Sequence, residues 1–541
     1  GDWSSDVCSS DLLRARPEVE MRESQRYIIF LIITLLCGFS AYGQDENENQ
    51  PYWVFFHDKE VADQASFNPA EHEFPHLSQR ALDRRSLRGT ITGPTYQDLP
   101  VPAIYIDEIL GADVKVRTVS RWLNAVSVQA SSDYIEQLDG NTIVKKTKRI
   151  HKVSKRVIKR NTRDDEVYLT DADYGESYDQ NEQINAVAAH ELGFTGTDIW
   201  LLMLDTGYYT DHNVFQQERI VAEYDFVQGD STTSNQDGDP VNQHNHGTAC
   251  ASAAGGFVDG ELRGTAYECK FLLAKTEMLN EEIEAEEDLF VAALEWGEAL
   301  GADVVSSSLG YLDWYTYEDD LDGQTAITTR GIDYASSLGM VCVTAAGNEG
   351  NTGWYHIIAP ADADSVISVG AVDAFNVTPS FSSHGPTADG RIKPEVLARG
   401  VATFLAGTDS TTEYISGSGT SFAAPLVAGA CALLLEAHPN WTPMMVREAL
   451  MMTADGNTSP DNTRGFGLID VMAALDYDFG VVAGDVSGDD ELNISDAVLL
   501  LEWVLSDAEI SEVQFDVADI NDDLHVDILD IVVLVEWILT L

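Results

Sequence analysis

The chain has 541 residues and a large excess of acidic groups, with 90 Asp and Glu against 32 Lys and Arg and a formal net charge of −58. Its length allows two to four domains, and so negative a surface repels nucleic acid and anionic membranes and disfavours both as partners. We interpret most of the charge as a solvating surface for salty surroundings, where screening relieves self-repulsion. Compositional bias is the alternative, and calcium binding could use only a small local share of the carboxylates.

The N-terminal residues are not expected to belong to the mature fold. Gly1–Leu12 looks like a translated sequencing-adapter fragment, and residues 1–20 are predicted to be an adapter-derived or untranslated segment. Residues 21–43 have a positive start, an apolar run and small residues at Ala41–Gly43, which is the pattern of a secretory signal peptide. The run is too short for a comfortable membrane span. We therefore predict a secreted, extracellular or cell-surface protein with no membrane span after signal removal.

Residues 44–163 are predicted to form a small α+β unit. The segment from Trp122 to Arg149 has a strand, helix, strand pattern. A dense basic run then precedes the acidic remainder of the chain, and it is either docked there by charge or a solvated linker. Ten of the 32 cations fall in this run: Lys145, Lys146, Lys148, Arg149, Lys152, Lys155, Arg156, Lys159, Arg160 and Arg163.

Residues 164–477 alternate apolar strand runs with amphipathic helical patterns from Thr197 onward. This alternation predicts an α/β fold whose mostly parallel sheet is covered by helices on both faces. Sites in such sheets gather at the carboxyl ends of strands, where Asp205 falls. Buried free thiols are favoured over disulfides for the four cysteines of this region, which are Cys250, Cys269, Cys342 and Cys431.

Three motifs place an aspartate, a histidine and a serine in one order: DTGYYTDH from Asp205, HGTACA from His246 and GSGTSFAAP from Gly417. A serine hydroxyl is a poor nucleophile unless a base takes its proton and a buried carboxylate orients that base. We therefore predict Ser421 as the nucleophile, His246 as the base and Asp205 as its orienting group. Ser421 is predicted to lie at the start of a helix, where its backbone N–H would donate to an oxyanion. The side chain of Asn348 would be the second donor.

The order Asp, His, Ser is that of the subtilisins, and three further strings match their pattern at Ser306–Gly310, Ala345–Gly350 and Phe381–Val396. Over about residues 183–477 the chain therefore resembles the subtilisin-like serine proteases, or subtilases. The resemblance implies an endopeptidase that hydrolyses protein or peptide substrates through an acyl-enzyme, with no cofactor for catalysis. It also implies that the substrate backbone and the primary specificity pocket are contacted by Ser308, Leu309, Gly310, Ala345, Ala346 and Gly347.

The same resemblance gives the unit at residues 44–163 the role of an inhibitory propeptide, with an ordinary accessory domain as the alternative. Parallel sheets have a high contact order and fold slowly, so a template domain would help physically. For the whole protein, the alternative function is a catalytically silent member of the fold that acts as a calcium-dependent adhesion or scaffold component.

The C-terminal residues 482–541 contain a repeat, because the segment from Asp485 is matched by one that starts 34 residues later at Asp519. Oxygen ligands at EF-hand-like spacing before an apolar helix suit Ca²⁺, so we predict two calcium sites. The repeat resembles a dockerin module, which implies a cohesin-type partner, with a calcium-stabilised cap as the alternative. The usual loop glycine is replaced by Asp490 and Leu524. The predicted ligands are Asp485, Ser487, Asp489, Asn493 and Asp496 in one loop, and Asp519, Asn521, Asp523, Asp527 and Asp530 in the other.

Overall fold

The computed structural model describes residues 49–61, 64–111, 114–138, 140–150, 152–153, 173–279, 282–283 and 286–479, and in the tail 484, 486–487, 492, 494–506, 517–518, 520 and 526–540. The predicted adapter and signal segments lie outside these residues. Also outside are Lys155, Arg156, Lys159, Arg160 and Arg163 of the basic run, and the predicted calcium ligands Asp485, Asp489, Asn493, Asp519, Asn521 and Asp523.

The N-terminal unit is an antiparallel four-stranded sheet with strand order β2-β3-β1-β4. The predicted strand, helix and strand between Trp122 and Arg149 are present as β3, α3 and β4. The elements of the unit are β1 (Gln50–Phe56), α1 (Gln79–Arg88), α2 (Ala103–Ile109), β2 (Lys115–Ser120), β3 (Ala125–Ala130), α3 (Ser132–Leu138) and β4 (Val144–Arg149), followed by β5 (Lys152–Val153).

The main body is built on a seven-stranded parallel sheet with the order β15-β14-β13-β12-β6-β10-β7. Its first elements are α4 (Tyr178–Glu182), α5 (Ala186–Glu191), β6 (Trp200–Asp205), β7 (Ile220–Asp225), α6 (Asn245–Gly255), β8 (Phe257–Val258), β9 (Leu262–Arg263), β10 (Lys270–Lys275), β11 (Glu282–Ile283), α7 (Glu286–Leu300), β12 (Val304–Ser307), α8 (Tyr317–Asp320) and α9 (Ile327–Ser337). There follow β13 (Val341–Ala345), β14 (Val366–Val372), β15 (Val396–Arg399), β16 (Thr403–Ala406), β17 (Tyr414–Gly417), α10 (Thr420–Ala437), α11 (Pro443–Thr453) and α12 (Val471–Leu475).

Both faces of this sheet are covered, as the alternation of strands and helices predicted. Along β6, Leu201 and Met203 belong to the core shared with α6 and α10, whereas Leu202 and Leu204 belong to the core shared with α7 and α9. Successive side chains of a strand point to opposite faces, so one apolar strand contributes to two cores. The four cysteines of the body are free and buried, as predicted.

Helix α10 passes through the core of the body. Among the described residues it is the single helix that is long and apolar enough to cross a membrane, and 89% of its most apolar window is buried inside the protein. This burial identifies α10 as a core helix, and it explains why the helix has apolar residues on all sides.

The N-terminal unit packs against α7 and α9 of the body. Strand β1 is buried on both faces, since Val54 faces the core of its own unit while Trp53 and Phe55 pack with Val291 and Ile327 of the body. The body therefore buries one face of the N-terminal sheet.

Buried ion pairs hold this interface. Arg85 donates to Asp98 of its own unit at 2.7 Å and to Glu298 of α7 at 2.8 Å, and all three side chains are fully buried. Arg84 also pairs with Glu298, and the Ser120 hydroxyl donates to Glu295 at 2.6 Å. An unpaired buried charge is strongly destabilising, so these carboxylates of α7 depend on the N-terminal unit for compensation.

The described part of the basic run bears on the two interpretations left open by the sequence. Residues Val144–Arg149 form strand β4 of the N-terminal sheet, so they are not a linker. Strand β5 then pairs antiparallel with β11 of the body, with Val153 opposite Glu282 and Lys152 opposite Ile283. The segment is therefore docked by backbone pairing as far as residue 153.

The C-terminal residues form a helix pair. Helices α13 (Ile494–Ser506) and α14 (Ile528–Thr540) correspond to the apolar stretches of the two repeats and pack against each other. Their shared core includes Leu500 and Leu534, which are fully buried.

Candidate active site

Asp205 ends strand β6 and is completely buried. Its Oδ1 accepts hydrogen bonds from His246 Nδ1 at 2.8 Å and from the backbone N–H of Thr206 at 2.7 Å. His246 is the second residue of helix α6, and the next residue, Gly247, lies against the strand end. A β-carbon on Gly247 would be 2.9 Å from that of Asp205 and would also collide with the carbonyl of Gly207. Glycine is therefore needed to bring the histidine to the aspartate.

The charge of Asp205 controls the imidazole of His246. Burial acts to lower the pKa of His246, but the neighbouring carboxylate of Asp205, together with Cys250, raises that pKa well above its usual value. Because Nδ1 is bonded to Asp205, the other ring nitrogen, Nε2, is the one available for proton transfer.

Cys250 is a site residue that the sequence analysis assigned only to the core. Its Sγ donates to the backbone carbonyl of Ser421 at 3.3 Å and lies 3.9 Å from each ring nitrogen of His246. Burial raises the pKa of the Cys250 thiol. The signal was present in the sequence, because a residue four positions after His246 on a helix lies on the same face.

Ser421 lies in the first turn of α10 and is 8% exposed. Its hydroxyl donates to the carbonyl of Ser308 at 3.5 Å, and the Ser308 hydroxyl donates to the carbonyl of Ser421 at 2.7 Å. The helix entry is held by Gly419, whose N–H donates to the Gly400 carbonyl at 2.8 Å. These contacts place the start of a buried helix beside the strand ends.

The side chain of Asn348 is oriented by Thr420. Its Oδ1 accepts from the backbone N–H of Thr420 at 2.9 Å and from the Thr420 hydroxyl at 3.2 Å. The Thr420 hydroxyl in turn accepts from the N–H of Gly347 at 3.2 Å. Since the amide oxygen is committed to Thr420, the amide nitrogen is presented on the opposite side as a donor.

The two predicted substrate-contacting segments follow neighbouring strands. Strand β12 pairs with β6 on one side and with β13 on the other, all parallel. The segment Ser308–Gly310 follows β12, and Ala345–Gly347 begins at the last residue of β13. Both segments and Asp205 therefore lie at one edge of the sheet, as expected for the carboxyl ends of parallel strands.

Within the described part of the chain, one group of three metal-ligating side chains has its donor atoms within 4.8 Å of one another, and it comprises Asp205, His246 and Cys250. The hydrogen bonds above already involve all three side chains. This group does not include any residue that the sequence proposed as a calcium ligand.

Four of the predicted calcium ligands fall in the described residues, and two of them are completely buried. Asp496 accepts at Oδ1 from the N–H of Ser487 at 2.8 Å. Asp530 accepts from the N–H of Ile520 at 2.9 Å and from that of Asp527 at 2.8 Å. In each repeat, a described backbone N–H near the start of the predicted loop thus donates to the carboxylate at its last position.

Two family models match the chain. The model described as "Subtilase family" matches residues 196–467, and the model described as "Peptidase S8 propeptide domain, Bacteroidota" matches residues 51–166. Together they cover the parallel sheet of the main body and most of the N-terminal unit.

Several known proteases are similar to the body of the chain. Subtilisin DY from Bacillus licheniformis is 34% identical over 292 residues, which cover 54% of this chain and 96% of that protein. The subtilisin of Bacillus pumilus is 34% identical over 293 residues, covering 54% and 96%. The serine protease AprX of Bacillus subtilis strain 168 is 30% identical over 305 residues, covering 51% and 65%.

Proposed function

Because the chain belongs to the subtilase family of serine proteases, we propose that it is a secreted endopeptidase that hydrolyses protein or peptide substrates through an acyl-enzyme. The observation that carries the proposal is the 2.8 Å bond from His246 Nδ1 to the buried Asp205, formed beside Ser421 at the start of α10. A catalytically silent scaffold is not favoured, since it would have no use for this arrangement.

Each side chain of the proposed triad has one role. Ser421 Oγ attacks the peptide carbonyl while Nε2 of His246 takes its proton, and the same nitrogen later delivers that proton to the leaving amine. Asp205 holds the imidazole with its Nδ1 proton and stabilises the imidazolium as it forms. The raised pKa of His246 agrees with a base that is stabilised by the carboxylate once it is protonated.

The oxyanion would be bound by two donors. The first turn of α10 leaves backbone N–H groups without helical partners, and that of Ser421 is among them. The second is the amide nitrogen of Asn348, whose oxygen is held by Thr420 at 2.9 Å. Donors that are oriented before the reaction need no rearrangement when the negative charge develops.

The N-terminal unit is proposed to act as the inhibitory propeptide. The match to a peptidase S8 propeptide over residues 51–166 supports this role, as do the ion pairs to α7 and the pairing of β5 with β11. We expect the enzyme to cut its own chain between about Arg149 and Tyr178.

Replacing Ser421 by alanine removes the nucleophile, so we expect the variant to lose peptide hydrolysis and to remain unprocessed. The measurement is the turnover of a peptide substrate together with the mass of the secreted chain. Ser410→Ala is the matched control, because this serine is exposed and should leave both readouts unchanged. Normal processing in the Ser421→Ala protein would contradict cleavage by the chain itself.

Asn348→Ala should lower kcat by about 10²–10³-fold with little change in KM, because the lost bond forms mainly in the transition state. Steady-state kinetics on the processed enzyme measure both constants. Asn351→Ala, an exposed asparagine in the same loop, is the control and should behave as the unmodified protein. A change confined to KM would mean that Asn348 contacts the ground-state substrate instead.

The C-terminal repeat is proposed to be a dockerin-like module with two Ca²⁺ sites, one in each loop. The buried carboxylates of Asp496 and Asp530 support the fit, because each accepts a backbone N–H from its own loop and hard oxygen ligands suit calcium. A cohesin-type partner would bind its helices, where Val498 and Val532 are about half exposed although apolar. The ten proposed ligands are those of the sequence analysis.

Removing Asp496 and Asp530 together should abolish both calcium sites. Calorimetric titration of the full chain with Ca²⁺ should show two fewer bound ions per chain in the Asp496→Asn/Asp530→Asn variant, because each loop loses its buried carboxylate. Asp476→Asn/Asp478→Asn, which changes two exposed aspartates before the repeat, controls for the change in net charge. An unchanged stoichiometry would contradict calcium binding by this module.

A further inference from the structure

The two predicted substrate-contacting segments, Ser308–Gly310 and Ala345–Gly347, each end in a glycine, and the space between those glycines is already occupied. Ile358 extends its side chain into it. A β-carbon placed on Gly310 would be 2.6 Å from Ile358 Cγ1, and one placed on Gly347 would be 3.2 Å from the same atom. One isoleucine therefore contacts both walls of the proposed primary specificity pocket.

The backbone on both sides of Ile358 is held in place. Its own N–H donates to the Ala346 carbonyl at 3.2 Å. The residue before it, Ile357, donates to the His384 carbonyl at 3.0 Å, and Ala359 exchanges two hydrogen bonds with Tyr311 at 2.8 and 3.1 Å. With this backbone fixed, the side chain can leave the pocket only by a change of rotamer, which β-branching restricts.

The residues beside Ile358 are closely packed. Ile357 and Ala359 on either side are fully buried, and the Ser383 hydroxyl lies 2.7 Å from the position that a β-carbon of Gly347 would take. The neighbouring wall of the pocket is therefore already packed. Proteins pack their interiors closely, so a bulky substrate group cannot enter without displacing the isoleucine.

We infer that Ile358 closes the primary specificity pocket and restricts this protease to substrates with a small side chain, Gly, Ala or Ser, on the amino side of the scissile bond. The inference rests on the proposed function, since it assigns a substrate class to the same site. It makes Ile358 a specificity-determining residue that contacts the substrate side chain and takes no part in the proton transfers.

The test compares two tetrapeptide p-nitroanilides, succinyl-Ala-Ala-Pro-Ala and succinyl-Ala-Ala-Pro-Phe, with the processed enzyme. The unmodified protein should hydrolyse the alanine substrate with a kcat/KM at least about 10-fold higher, because exclusion of even one methylene is worth a factor of about 10–200. A preference for the phenylalanine substrate would overturn the inference without touching the proposed triad.

Variants of Ile358 then test whether this side chain causes the preference for the alanine substrate. Ile358→Gly should raise the phenylalanine-to-alanine ratio of kcat/KM by at least about 100-fold, because it removes the whole side chain from the pocket. Ile358→Ala should raise the ratio by less, because its β-carbon stays. Ile358→Ala retains a β-carbon and serves if the glycine variant does not fold. An unchanged ratio in a folded, active variant would contradict the role of Ile358.

The matched control is Ile332→Val, because Ile332 is a buried isoleucine of α9 in the core shared with α7. It should leave the substrate ratio unchanged while reporting on the general effect of shortening a buried isoleucine. A protein that hydrolyses neither peptide nor denatured casein would overturn the proposed function itself, and this outcome is distinct from activity with the wrong preference.

Discussion

The parallel pairing of β6, β12 and β13 is the constraint on which the rest of the site depends. It places the ends of the three strands at one edge of the sheet, so that Asp205, Ser308 and Ala345 are neighbours although about 140 positions separate the first from the last. The buried helix α10 begins beside that edge and presents Ser421 to it. The site needs both parts. The strand ends supply the carboxylate and the walls of the proposed specificity pocket, while the helix supplies the serine hydroxyl and a backbone donor.

The carboxylates of α7 add a second dependence, between the N-terminal unit and the body. Glu298 is fully buried and is neutralised by Arg84 and Arg85 from the other unit. Burying charges is favourable only when they are well paired, so separation of the two units must return several charges to water. The two units can separate most easily after the chain between them has been cut. This agrees with an inhibitory unit that is cleaved first and released afterwards.

Much of the fold and the site could be predicted from the sequence because the deciding signals are local. An apolar run that ends in Asp205, a histidine followed by Gly247 and a serine at a helix start each indicate one piece of chemistry, and glycine at position 247 has the steric role described above. The alternation of strands and helices likewise predicts a parallel sheet. The docking of the N-terminal unit could not be read in this way, since nothing local pairs Arg85 with Glu298 across 213 positions. Ile358 was missed for the same reason. Its side chain lies between the two glycines because backbone hydrogen bonds join residues 357–359 to Ala346, His384 and Tyr311.

The most direct test of the central claim is covalent labelling with a fluorophosphonate, followed by mass spectrometry of the digested chain. Such a reagent reacts with a serine hydroxyl only where a base and an oxyanion site activate it. The account predicts that Ser421 is the modified residue in the processed enzyme. His246→Ala, processed by added active enzyme, should lose the label while Ser410→Ala keeps it. A protein that stays unlabelled at Ser421, or that is labelled equally well without His246, would contradict the assignment of a serine protease to this site.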